Sequence, residues 1–118
     1  MLKVHAKKLH AVEVLSLEGQ IVNGEAETLR GAVQLASDIS DIVLDLANVT
    51  NVDAHGLGVL LQLREQTSAQ GIHLELINVS RRLYQLFEIT RLNTVFEINR
   101  DVRFFPAVAY SHRVPVAA

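Results

Sequence analysis

The chain has 118 residues, 49% of them apolar and 20% charged, with a formal net charge of −2 and no cysteine. That is material for one ordinary core in a single domain, and it excludes a disulfide scaffold, a thiolate nucleophile and a sulfur-ligated metal. A near-neutral charge gives little drive toward phosphate backbones, which argues against nucleic acid as a partner, and no stretch approaches the roughly 18 to 20 consecutive apolar residues of a membrane span.

Two strands are predicted at residues 3–9 and 11–17, the second carried by Val12, Val14, Leu15 and Leu17, and they pair as an antiparallel hairpin. The N-terminal stretch Met1-Leu2-Lys3-Val4-His5-Ala6-Lys7-Lys8 has no apolar segment of the kind a signal peptide needs, so a cytoplasmic location is expected. Asn23 reads as the N-cap of a helix over residues 24–37, with Glu25 and Glu27 in the first turn, where the helix dipole favours carboxylates. Its buried stripe is Ala26, Leu29, Val33 and Ala36.

The run Ile42-Val43-Leu44-Asp45-Leu46 has a single acid among apolar residues, the pattern of a central parallel strand covered on both faces. After Asp53 a second helix begins, with Leu57, Leu60 and Leu61 on one side and Gln62, Glu65, Gln66 and Gln70 on the other, and Gly71 stops it. Ile72, Leu74 and Leu76 alternate with His73 and Glu75, a strand with one face less buried than the other. Ser80 caps a third helix that presents Leu83, Leu86, Phe87 and Thr90, and Val95-Phe96-Glu97-Ile98 is a short fifth strand. Residues 1–105 form the domain, and 106–118, opening at Pro106 without periodicity, form a loosely held C-terminal tail.

This order predicts a single-domain α/β fold: a mixed, mostly parallel sheet of four to five strands with helices packed against it and right-handed crossovers between the parallel strands. In such sheets, sites form where the carboxyl ends of strands meet the following loops and helix N-termini, and Asp53-Ala54-His55-Gly56-Leu57-Gly58 occupies that position. Asp53 suits the N-cap. His55, in the same turn, offers an imidazole as a donor or acceptor for a partner. Gly56 and Gly58 permit close approach, either by the sheet or by a partner.

The succession Val43-Leu44-Asp45-Leu46, Val52-Asp53-Ala54-His55-Gly56-Leu57-Gly58-Val59-Leu60-Leu61, Leu74-Glu75-Leu76-Ile77-Asn78-Val79-Ser80 and Leu86-Phe87-Glu88-Ile89-Thr90-Arg91-Leu92-Asn93 resembles the STAS domain of the bacterial anti-sigma factor antagonists. The resemblance implies a regulator of transcription that binds an anti-sigma factor or a related kinase-like ATPase. Members are released when a serine in an Asp-Ser-Ser/Thr-Gly turn is phosphorylated. Here Asp53, Gly56, Leu57 and Gly58 match, whereas the acceptor serine falls on Ala54 and the next hydroxyl position on His55. Without a hydroxyl at Ala54, no phosphorylation of the turn is expected. The expected contact surface is Asp53, Ala54, His55, Gly56, Leu57 and Gly58, with Asn23 beside them.

An alternative setting is a STAS subunit of a transport or stress-signalling complex that binds an ATPase or a sensor protein. A second copy of the chain, in a homodimer, is a further candidate partner; direct membrane insertion is not expected. Neither an enzyme nor a cofactor is indicated. No Gly-x-x-x-x-Gly-Lys or Gly-x-Gly-x-x-Gly sequence occurs, and His5, His10, His55, His73 and His112 lack the short spacing that puts two imidazoles on one helical face to hold a metal. Asp53, His55 and Ser80 could be drawn as a triad, but without a nucleophile elbow that reading has no support.

Overall fold

The computed structural model describes residues 1–33 and 38–99. Its elements are strand β1 (Lys3–Leu9), strand β2 (Val12–Ile21), helix α1 (Ala26–Ala32), strand β3 (Asp41–Val52), helix α2 (Ala54–Ala69), strand β4 (His73–Ile77), helix α3 (Arg81–Ile89), a 3₁₀ turn (Leu92–Thr94) and strand β5 (Glu97–Asn99). The five strands lie side by side in chain order, β1-β2-β3-β4-β5. β1 is antiparallel to β2 and the other three pairings are parallel, so the expected mixed, mostly parallel sheet is present with β3 at its centre.

The β1–β2 hairpin closes through His10 and Ala11, and His10 takes the left-handed conformation (φ +58°) that a tight two-residue connection demands. β1 is one edge of the sheet, and Lys3, Lys7 and Lys8 stand exposed along it. Among the described residues the other edge is β5, Glu97–Asn99.

Period-two alternation sorts β3 onto two faces. Ile42, Leu44 and Leu46 join the main core with Leu15, Leu17, Leu29, Leu60, Leu76 and Phe87, while Val43 packs with Val14 and Ile77 in a second, smaller cluster. All three helices contribute to the main core, so they share one side of the sheet. The Phe87 ring meets Phe96 edge to face, with centroids 5.8 Å apart and planes at 66°.

Several boundaries differ from expectation. β2 and β3 run on to Ile21 and Val52, pairing through Gln20↔Asn51 and Ile21↔Val52 across two register shifts. α1 starts at Ala26, not at residue 24, and Asn23 is not its N-cap: Glu25 holds that place without a side-chain cap bond. The cause lies in the backbone, because Glu25 and Ala26 both donate to the Val22 carbonyl (2.8 Å each) and Gly24 has φ +92°, a turn that must finish before a helix can begin. Positions 34–37, which include Ala36 of the expected stripe, and the expected tail 106–118 lie outside the described residues. Glu75, expected on the less buried face of its strand, is only 2% exposed. Val95 and Phe96 precede β5 instead of opening it, since both donate backbone hydrogen bonds to the Leu92 carbonyl.

Candidate functional site

β3 ends at Val52, and Asp53, still extended (φ −99°, ψ −176°), delivers the chain into α2. Its carboxylate works in two directions. Oδ1 accepts the Gly56 N–H at 2.8 Å, satisfying one of the free donors of the first helical turn, and Oδ2 accepts the Asn23 N–H at 3.0 Å, from the loop between β2 and α1. Both crossover loops are thereby tied to one side chain. The Asn23 amide, then the Gly56 amide, hold the Asp53 carboxyl below its ordinary range, with smaller help from the neighbouring His55 against a desolvation cost.

A carboxyl with a depressed folded-state pKa contributes stability above its unfolded value, near pH 4, and that contribution is lost as the pH falls through the folded value. Asp53→Asn is therefore expected to flatten the acid limb of the stability curve below about pH 4. Chemical denaturation of both proteins from pH 2 to 6 measures this, and superimposable acid limbs would rule out the linkage.

Gly56 packs against the end of β2. A Cβ built there would collide with the Ile21 carbonyl group, its carbon 2.8 Å away, and would come within 3.1 Å of Val52 Cγ1. Gly58 is different: a Cβ at that position meets nothing within 4 Å. One glycine is a packing requirement, and the other faces open space. Gly58→Ala should accordingly raise stability by about 0.5 to 1 kcal/mol, the usual gain from replacing a mid-helix glycine. A fall in melting temperature would reveal a constraint on that face of α2.

Around this frame Ala54 and His55 are exposed, Gly58 is half-buried and Leu57 is 8% exposed, its side chain turned into the core. His55 Nε2 lies 3.4 Å from Glu27 Oε2, and the other Glu27 oxygen accepts from Arg30 Nη1 at 3.0 Å. Arg30 Nη2 donates in turn to Gln62 Oε1. This chain of polar contacts runs from the turn across α1 to α2, into an open groove lined by Arg30, Gln62, Glu65, Gln66 and Ala69.

Of the expected contact residues, Asp53, Ala54, His55, Gly56, Leu57 and Gly58 share one strand-to-helix turn, and Asn23 joins them through its backbone N–H alone. Glu27 and Arg30 did not stand out in the sequence as neighbours of the turn; two charges on a first helix have no signature until the crossover places them. Ser80 caps α3 by accepting the Leu83 N–H at 3.1 Å, and His55 is turned to Glu27, so each member of the imagined triad has a structural employment of its own.

The sequence profile of the STAS domain matches residues 3–109. The chain is 35% identical over 86 residues to the anti-sigma-B factor antagonist of Bacillus subtilis, covering 72% of this chain and 79% of that protein. It is 34% identical over 82 residues to the protein of the same name from Listeria monocytogenes, covering 68% and 72%. Among solved structures, an anti-sigma factor antagonist from Mycobacterium paratuberculosis superposes with a TM-score of 0.74 at 21% identity, over 86% of this chain and 88% of that one. A sulfate transporter family protein from Wolinella succinogenes superposes with a TM-score of 0.76 at 24% identity, over 95% and 94%. At those identities the two structures speak to the fold alone. Among the described residues no helix is long and apolar enough to cross a membrane.

Proposed function

The chain belongs to the STAS domain family and, within it, to the anti-sigma factor antagonists, and from that premise we propose that it is a cytoplasmic regulator of transcription that docks on an anti-sigma factor or a related kinase-like ATPase through the turn at residues 53–58, outside phosphorylation control. One observation carries the reading. The turn keeps its architecture, with the Asp53 cap in place and Gly56 seated against β2, while Ala54, exposed at the position that carries the acceptor serine in the family turn, has no hydroxyl. A turn of this shape without the phosphoryl acceptor fits a binder whose affinity is not switched by added charge.

The exposed side of α2 and the groove beside Arg30 and Gln62 extend this surface. Incubation with the cognate kinase and ATP, followed by intact-mass measurement and peptide mapping, tests the proposal. The expected result is an unmodified turn alongside a stable complex with the kinase. A phosphate located within residues 53–58, on His55 for example, would overturn it.

A further inference from the structure

The parallel register of β4 and β5 sets Glu75 directly opposite Glu97, and the alternation along β4 puts His73 on the same face as Glu75. The ligand atoms of these three side chains lie within 4.8 Å of one another. His73 Nε2 is 3.2 Å from Glu97 Oε2. Their neighbours Leu74 and Leu76 point into the main core beneath the helices, whereas Val43 and Ile77, on the Glu75 side, belong to the second cluster. The three therefore occupy the sheet face opposite the helices, and His73 opens β4 at its amino end, away from the Asp53 turn at the carboxyl ends of the strands.

We propose that His73, Glu75 and Glu97 form a binding site for a divalent transition-metal cation, with zinc as the ion this donor set fits best. One imidazole nitrogen with two carboxylates is a mixture that zinc accepts, and three protein ligands leave a fourth tetrahedral position for water. Calcium and magnesium prefer oxygen-only shells, so the imidazole selects against them. The setting is also that of a supported site: Glu75 is 2% exposed and accepts a hydrogen bond from Asn99 Nδ2, the kind of outer contact that orients a ligating carboxylate. His73 and Glu97, with side chains 38% and 44% exposed, leave an entry path from solvent. Because the ligands come from both strands, the bound ion ties β5 to β4.

Calorimetric titration of the full chain with ZnCl₂ is expected to show one equivalent bound per chain, with an accompanying rise in melting temperature. On zinc addition the ring resonances of His73 should shift while those of the other histidines stay in place. His73→Ala and Glu97→Gln, both at partly exposed positions, should each weaken binding by at least about tenfold, and Asn99→Ala by about tenfold through loss of the orienting contact. Failure of the wild-type chain to bind zinc stoichiometrically would overturn the proposal. So would binding that survives both ligand substitutions, or zinc-dependent shifts at a histidine other than His73.

Discussion

Gly56→Ala is expected to destabilise the domain by about 3 kcal/mol, at the upper end of what overpacking produces, because the group it strikes is backbone and cannot swing aside. The added methyl would enter the space of the Ile21 carbonyl and press on Val52, so either α2 must lift from the sheet or the ends of β2 and β3 must separate. Either motion stretches both hydrogen bonds of the Asp53 carboxylate, one of which ends on Gly56 itself. In a domain of this size the loss corresponds to a fall of roughly 10 to 15 °C in melting temperature. Gly58→Ala, two residues on, is the internal control, since it adds the same methyl to the same helix in open space. Differential scanning calorimetry on the pair separates the packing demand at Gly56 from helix propensity, and equal melting temperatures would refute the packing argument.

His55→Glu is expected to leave the fold intact, as substitutions at exposed positions usually do, while weakening binding to the partner by about 2 kcal/mol, roughly thirtyfold in Kd. The new carboxylate loses the His55–Glu27 contact and stands beside Glu27 as a like charge. Asp53 already places one carboxylate at this end of α2. Docking would then have to desolvate an enlarged acidic patch. His55→Gln, which keeps a polar, uncharged side chain, should cost far less. Calorimetry with the purified partner decides: an affinity unchanged in the glutamate variant would place the contact surface elsewhere.

Much of the turn was legible because its signals are local. The continuous apolar run at 42–46 announces a buried strand, Asp53 announces a cap, and the spacing of Leu57 and Leu60 announces a helix, each within a few residues. The extension of β3 to Val52 was hidden because Ala47, Asn48, Thr50 and Asn51 are exposed, and only their pairing with the equally extended β2 makes them a strand. Val95 and Phe96 misled in the opposite sense: their apolarity reports burial against the core, while their hydrogen bonds belong to the preceding 3₁₀ turn. The contrast between Gly56 and Gly58 was beyond the reach of spacing, since it depends on where the end of β2 comes to rest. Glu27 as the neighbour of His55, and Glu97 as the neighbour of His73 and Glu75, likewise follow from strand and helix placement that no short motif encodes.

The β1 edge of the sheet bears on how copies of this protein meet. A strand added beside β1 would have to settle against the exposed ammonium groups of Lys3, Lys7 and Lys8. Lysines along an edge strand are a recognised safeguard against edge-to-edge polymerisation. That edge of the sheet is thus guarded against zippering copies of the chain into ribbons.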